Sequence, residues 1–287
     1  MLNVASVLRQ LSASIDRLDA RLLLQKVLAV THSYLIAHPE REVTQEQWQQ
    51  LKAQAARRLA GEPLAYILEE AEFFGLRLWV NSAVLVPRPD TELLVELALQ
   101  KLKDLQKNEA GAAVENSEPV VLDLGTGSGA IPLAIKHSLP SARVIGLDVS
   151  TEALFVAKRN AEVLGLSIEW LQSNWFGNLP ADLKVDVLLS NPPYIAAGDP
   201  HLQGDGLRYE PVGALTDGGT GLSALQHIVD GAPCCLKVGG WLMLEHGYDQ
   251  ASAVRSMLQA RFERVESWRD LAGIERVSGG CFRVAFV

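Results

Sequence analysis

The amino-acid sequence predicts an α/β fold: a doubly wound parallel sheet, with a small N-terminal helical domain before it and a linking β-hairpin between the two. Three observations predict this. After residue 118 short apolar runs alternate with helical patterns, the first run enters a helix through Gly125-Thr126-Gly127-Ser128-Gly129, and residues 1 to about 60 read as helices.

Taken in order, Leu22, Leu23, Leu24, Val27 and Leu28 share one helical face, and Thr44 with Gln47 forms a capping box that opens a helix running through Leu59. Residues 64–80 are β-formers interrupted by Gly75 and read as the hairpin. Val86-Pro87-Arg88-Pro89 then turns the chain into a helix beginning near Thr91. The polar, small stretch 107–118 reads as a flexible connection. Beyond it strands are expected at 120–124, 143–147, 167–171, 185–190, 240–246, 264–268 and 281–286, and helices at 129–137, 151–164, 222–236 and 249–261. Residues 195–221, rich in Gly, Pro and Asp, read as a long loop and as a lid over a site.

Composition narrows the class. The chain has 287 residues, 48% of them hydrophobic and 21% charged, which describes a globular protein with an ample core. No run of about 18 apolar residues is present, so no membrane partner is expected. Met1-Leu2-Asn3-Val4 lacks the charged and apolar regions of a signal peptide. Cys234, Cys235 and Cys281 have neither metal nor disulfide spacing, which suits a reducing cytoplasm and predicts no metal. The formal net charge is −8, and basic residues do not cluster beyond Arg57-Arg58 and scattered lysines. Phosphate neutralisation supplies most nucleic-acid affinity, so this charge pattern argues against a direct nucleic-acid partner.

Asn191-Pro192-Pro193-Tyr194 directly follows the apolar run 185–190. Two prolines cannot continue a central strand and confine their neighbours to extended geometry, so a stiff loop forms at a strand's carboxyl end, where open α/β sheets bind ligands. The residues suit methylation of a planar NH2 group, an amide or an exocyclic amine. Asn191 Oδ1 and the Pro192 carbonyl can each accept one N–H, and Tyr194 offers a flat face for stacking. No general base is needed, because the nitrogen becomes acidic only as it gains the methyl group.

The glycine loop supplies the second half. It follows the strand Val120-Val121-Leu122-Asp123-Leu124, and Asp148 closes the next strand, where a carboxylate can accept ribose hydroxyls. That pattern admits NAD as well as S-adenosylmethionine. Two details favour the latter: the spacing is G-x-G-x-G, and Asp123 precedes the first glycine by two residues. A carboxylate there would repel a pyrophosphate and attract the ammonium and sulfonium charges of the methyl donor.

With both motifs present, the chain resembles the class I (Rossmann-like) S-adenosylmethionine-dependent methyltransferases. It is most similar to the release-factor glutamine N5-methyltransferases, often called PrmC or HemK. Besides the two motifs, the resemblance is carried by Gly61-Glu62-Pro63-Leu64-Ala65-Tyr66-Ile67, Glu72-Phe73-Phe74-Gly75-Leu76, Val86-Pro87-Arg88-Pro89-Asp90-Thr91-Glu92, Arg208-Tyr209-Glu210-Pro211 and Leu244-Glu245-His246-Gly247. The resemblance implies a helical partner-binding domain at 1–62, a hairpin, helix and linker at 63–118, and a methyltransferase domain at 119–287. It implies that Gly125, Thr126, Gly127, Ser128 and Gly129 form the donor loop, that Asp148 holds the ribose, that Trp175 lies beside the adenine, and that Asn191 touches both donor and acceptor. Asn191, Pro192, Pro193 and Tyr194 would grip the substrate, with Asn191, Pro192 and Tyr194 serving the transfer. That substrate would be the Gly-Gly-Gln glutamine of a class I peptide chain release factor, and the products N5-methylglutamine and S-adenosyl-L-homocysteine. The alternative acceptor is the N6 amine of adenine, or another exocyclic amine in nucleic acid, since N-P-P-Y is shared with such enzymes. Glu69 stands where the family usually has glycine, Ser82 where proline is common, and Asn174 where aspartate is usual. Arg88 and Glu92 fit either a glutamine-orienting or a domain-joining role, and His246 a structural hydrogen bond.

Overall fold

A computed structural model describes residues 2–105, 118–204 and 206–283. The expected connection at 107–118 lies outside the described residues except for Glu118. Two compact units divide the chain: Met1–Glu70 with Gly204–Tyr209, and Ala71–Gln203 with Glu210–Val287.

The first unit holds helices α1 (Val4–Leu11), α2 (Arg17–Leu28), α3 (His32–Ala37), α4 (Gln45–Leu59) and α5 (Leu64–Leu68). Each of the first four starts at a side-chain cap, Asn3, Asp16, Thr31 and Thr44, which satisfies amides that the helix itself leaves unpaired. The predicted capping box is present: Thr44 Oγ1 accepts from Gln47 N and Gln47 Oε1 from Thr44 N. Apolar stripes from the helices meet in one core that includes Val7, Leu23, Leu24, Leu51 and Ile67. The segment 204–209 closes onto the end of α4, with Tyr209 OH donating to Ala60 O at 2.8 Å and the Arg208 guanidinium donating to the same carbonyl.

The second unit opens with the hairpin β1 (Ala71–Phe73) and β2 (Leu76–Leu78), then a 3-10 turn (Pro89–Thr91) and α6 (Glu92–Leu105). A sheet follows, built from β3 (Val120–Leu124), β4 (Arg143–Asp148), β5 (Glu169–Gln172), β6 (Val185–Ser190), β7 (Leu236–Glu245), β8 (Phe262–Arg269) and β9 (Glu275–Phe282). Its helices are α7 (Ala130–Ser138), α8 (Thr151–Leu164), α9 (Val212–Leu215), α10 (Ser223–Gly231) and α11 (Ala251–Gln259). The strand order is β5-β4-β3-β6-β7-β9-β8; β9 runs antiparallel to both neighbours. Alternate strand residues feed opposite cores. Val121, Val187 and Leu189 meet α6 and α7 through Leu94 and Leu133, whereas Leu122, Leu124 and Leu188 meet α10 and α11 through Leu225 and Val254. The order reverses between β3 and β6, and the carboxyl ends of that pair form the switch-point crevice.

Four expectations are corrected. The 64–80 stretch is not hairpin throughout, because Leu64, Ile67 and Leu68 bury against the helical core and coil residues 64–68 into α5. The strand expected at 240–246 starts at Leu236, with Gly239 and Gly240 at the irregularity in its pairing with β6; a side chain at 240 would meet Asp186 O at 3.0 Å. The last strand among the described residues is 275–282 and so starts six residues before the expected 281–286, of which 284–286 lie outside the described residues. Gly279 and Gly280 hide it from a propensity reading, yet a Cβ at 279 would sit 2.6 Å from Leu242 O. Residues 195–221 are not an open loop, since they contain 3-10 turns at 200–203 and 207–209, helix α9 and a parallel bridge between Ile195 and Thr216. No helix among the described residues is long and apolar enough to cross a membrane.

Glu69, the departure from glycine, is the C-cap of α5 in the left-handed region at φ 54°. A Cβ is disfavoured there, and glycine is the usual solution. Glu69→Gly is expected to stabilise the protein by about 0.5–1 kcal/mol, read as an upward shift of the urea unfolding midpoint.

Candidate active site

The site grows from the β3–β6 pair. Leu124 and Ser190 are register partners, so the glycine loop and the N-P-P-Y loop begin side by side, one residue beyond each strand. Ser190 Oγ donates to Leu124 O at 2.7 Å in a fully buried position. Gly125, Gly127 and Gly129 have positive φ, and among the described residues no atom beyond the chain neighbours lies within 4 Å of a Cβ built on Gly125 or Gly127, leaving room for a ligand against bare backbone. A Cβ on Gly129 would instead meet Trp170 at 3.0 Å and Ala157 at 3.1 Å, so that residue serves the packing of α7.

A cavity of about 230 Å³ opens at these strand ends. Of the residues singled out from sequence, Gly125, Gly127, Asp148, Trp175, Asn191 and Pro193 line it. Thr126 and Ser128 are buried, Gly129 is packed, and the side chains of Pro192 and Tyr194 are not part of the cavity lining. Sequence reasoning missed Ala83 to Leu85, Leu147, Val149, Ser150, Ala153 and Ser173, whereas Pro211, Gly213 and Ala214 come from the 195–221 stretch that was expected to lie over the site. Most are small or apolar residues with no chemistry to advertise, brought in by topology.

Asp148 Oδ2 accepts from Gly127 N at 2.9 Å and Oδ1 from Ser150 N at 2.9 Å, so each carboxylate oxygen keeps spare acceptor capacity toward the cavity. Burial raises its pKa, against the pull of those amides. Trp175 is held at φ 48° with its carbonyl accepting from Ser173 Oγ at 2.7 Å. Asn160 on α8 braces the glycine loop from behind. Its Nδ2 donates to Ser128 O at 2.9 Å and Trp79 O at 3.0 Å, while Oδ1 accepts from Trp79 N at 2.7 Å. No sequence signal marked it.

Two carboxyls under the site are fully desolvated. Burial pushes Asp123 up to about 7; the Thr126 hydroxyl stands near enough to oppose this, but neither it nor either carboxyl oxygen completes a well-formed hydrogen bond among the described residues. Glu245, at the end of β7, is also raised to about 7 by burial. Tyr194 OH donates to Glu245 Oε1 at 3.4 Å, and burial raises the phenol's pKa further above its ordinary range. The Tyr194 carbonyl accepts from Gln250 Nε2 at 2.9 Å.

The polar residues flanking the site are engaged structurally. Arg88 pairs with Glu210, whose Oε2 also accepts from Val86 N at 3.0 Å. Glu92 Oε1 accepts from Phe74 N at 2.8 Å, at a hairpin turn where Phe74 has φ 52°. His246 is buried between Gly247 O at 2.9 Å and Ser278 Oγ at 2.8 Å. A carbonyl can only accept, so Nδ1 carries the proton and Nε2 accepts from Ser278. Burial lowers the pKa of His246 and keeps it neutral.

Comparison with known proteins follows the same division. Residues 3–68 match the family model described as the PrmC N-terminal domain, and residues 102–204 the methyltransferase small domain. The chain is 48% identical over 270 residues to the release factor glutamine methyltransferase of Bordetella pertussis, covering 93% of this chain and 95% of that one. It is 41% identical over 275 residues to that of Escherichia coli, covering 94% of each. Among solved structures, the human Mettl16 catalytic domain bound to an RNA hairpin aligns with a TM-score of 0.56 at 14% identity, over 85% of this chain and 84% of that one. The last likeness speaks to fold alone.

The raised Asp123 has a signed consequence for stability. With a folded value of about 7 against an ordinary 3.8, the native state keeps a proton that the unfolded chain has released. The stabilisation is therefore present at low pH and lost as pH rises through about 7. Asp123→Asn is expected to flatten that loss, so that without ligand its melting temperature exceeds wild type at pH 8 and approaches it at pH 5, measured by calorimetry across the range.

Proposed function

We propose, on the premise that this chain belongs to the release factor glutamine methyltransferases, that it moves the methyl group of S-adenosyl-L-methionine onto the side-chain amide nitrogen, N5, of a glutamine. The substrate glutamine is that of the Gly-Gly-Gln motif in class I peptide chain release factors, and the second product is S-adenosyl-L-homocysteine. The observation that carries this reading is the convergence of the two loops: Gly125, Gly127, Asp148 and Trp175 line the same cavity as Asn191 and Pro193.

The residues fit a cationic donor. Asp123 is a buried carboxyl group with no well-formed hydrogen bond to either oxygen among the described residues, a state that a neighbouring ammonium would relieve, whereas a pyrophosphate would aggravate it. Gly125 and Gly127 let the ligand approach backbone, Asp148 accepts from ribose hydroxyls, and Trp175 lies against the adenine. When bound, the donor supplies an electrophilic methyl carbon on a positively charged sulfur.

The protein's part is positioning. An amide nitrogen shares its lone pair with the carbonyl and is a poor nucleophile in the plane. Asn191 Oδ1 and the Pro192 carbonyl each accept one N–H, which holds the NH2 group with its lone-pair axis toward the methyl carbon. Pro192 and Pro193 keep those acceptors stiff, and Tyr194 backs the loop through Glu245 and Gln250. The proton leaves to water after transfer, once the nitrogen has become acidic. Residues 1–62 are assigned to holding the protein partner and 119–287 to the transfer.

The test is mass spectrometry of an unmethylated class I release factor after incubation with the protein and S-adenosyl-L-methionine. One added methyl on the Gly-Gly-Gln glutamine is expected, and its absence with donor binding intact overturns the substrate assignment. Asn191→Ala should lower kcat by about 100-fold without loss of fold. Asp123→Asn should weaken donor binding by about 10-fold, read by titration calorimetry.

A further inference from the structure

Gln250 enters the scheme above only as a support for Tyr194, yet three separate turns of chain converge on its side chain. It is half-buried and stands directly ahead of α11. Its Oε1 accepts from Gly247 N at 2.9 Å, just past the end of β7, and its Nε2 donates to Tyr194 O at 2.9 Å and to Gly221 O at 3.2 Å. A carboxamide nitrogen has two protons, one for each carbonyl, and a backbone N–H can meet only the oxygen, so these partners leave the amide a single orientation. The backbone N of Gln250 donates in turn to Gly247 O at 3.1 Å, which fixes the base from which the side chain reaches.

Tyr194 is the last residue of the N-P-P-Y tetrapeptide, and Gly221 ends the 195–221 segment. The two pass backbone to backbone: Gly221 has φ 79°, and a Cβ built on it would lie 2.2 Å from Tyr194 O. Beyond this crossing the chain is laced to itself, with Ile195 N donating to Leu215 O at 2.9 Å and Ala197 N to Gly219 O at 2.8 Å. Asp217 stiffens the returning segment, since its carboxylate accepts from Gly219 N at 2.8 Å, Gly221 N at 3.0 Å and Ser223 N at 2.8 Å. The tetrapeptide places Asn191 and Pro193 in the cavity wall, and the returning segment follows Pro211, Gly213 and Ala214 in the same wall. Without the shared Nε2, the carbonyls of Tyr194 and Gly221 would face each other with no donor between them, which favours a wider gap.

We propose that Gln250 is a positioning residue for the transfer: it clamps the exit of the tetrapeptide to the 211–221 wall and so sets the width of the gap that the acceptor NH2 enters. The inference rests on the reaction proposed above. It gives the acceptor half of the site a support of its own, because the donor half is fixed elsewhere, by the bond from Gly127 N to Asp148 on the β3–β4 side. Loss of the clamp therefore harms alignment of the acceptor and spares the donor, a split that a general loss of structure does not produce.

Steady-state kinetics on the release factor, with donor binding by titration calorimetry and folding by scanning calorimetry, test this in Gln250→Glu, Gln250→Leu and Gln250→Lys. Gln250→Glu has the same shape and keeps the bond from Gly247 N, but sets a further acceptor against the two carbonyls. It should lower kcat/KM for the release factor by about 10-fold or more, with the Kd for S-adenosyl-L-methionine within about threefold of wild type. Gln250→Leu, which removes every side-chain bond, should show the same split. Gln250→Lys gives up the bond from Gly247 N and can still donate to both carbonyls, so it should be faster than Gln250→Glu by about fivefold or more. If Gln250→Glu does not fold, Gln250→Leu carries the test, and failure of all three to fold overturns the positioning role in favour of a purely structural one. Release-factor kinetics within about twofold of wild type in a folded Gln250→Glu or Gln250→Leu overturn the clamp. A donor Kd that rises in step with the fall in kcat/KM also overturns it, by pointing to a general loss of structure. Gln250→Lys as slow as Gln250→Glu does the same, by assigning the effect to the Gly247 bond. No methylation by wild type overturns the proposed function, and the clamp falls with it.

Discussion

Ser190 Oγ and the carbonyl of Leu124, 2.7 Å apart and shut away from water, tie together the last residues of two parallel strands. Asp186 performs the corresponding task at the other end of the same pair, accepting from Val120 N at 2.8 Å and Lys237 Nζ at 2.7 Å. With β3 and β6 locked at both ends, their register cannot slip, and a one-residue slip would turn every side chain to the opposite face. Both loops of the candidate site are referred to that register. Gly125 and Asn191 are neighbours because Leu124 and Ser190 are partners.

Around this fixed pair, the sheet's carboxyl end collects polar groups that the interior would otherwise exclude. Asp123, Glu245, His246 and Ser278 are all essentially inaccessible. They fall into two kinds. His246 and Ser278 belong to a saturated chain, in which Arg255 donates to Ser267, Ser267 to Ser278 and Ser278 to the imidazole. That chain is complete within the protein and stiffens the β7–β9 region. Asp123 is left unsatisfied among the described residues, and an incomplete buried carboxylate is a reservoir of unfavourable energy that a ligand of the right charge can draw down.

The motifs were legible because their chemistry is written in unusual residues. Two consecutive prolines after an apolar run leave the chain one option, and a glycine loop between strand and helix leaves few. Helix α8 matches its expected bounds of 151–164, since Ser150 caps it and Gly165 ends it in the left-handed region. The sequence was least informative where glycines sit inside strands, as at 239–240 and 279–280. There the missing side chain makes space for a neighbouring backbone, a reason invisible to propensity. The cavity walls were equally hidden: Ala83, Ala153 and Ala214 have nothing to distinguish them until three distant segments meet.

The segment 204–209 belongs with the N-terminal helices, although nearly 150 residues separate it from them in sequence. Ala60, the C-cap of α4, offers a carbonyl that helix geometry cannot satisfy; Arg208 and Tyr209 close on it across 148 and 149 residues. A ribosome making this chain therefore emits the helical unit in an unfinished state. Its last hydrogen bonds must wait until β3, β4, β5 and β6 have all been synthesised, so the completion of the first unit is tied to the arrival of the strands that carry the site.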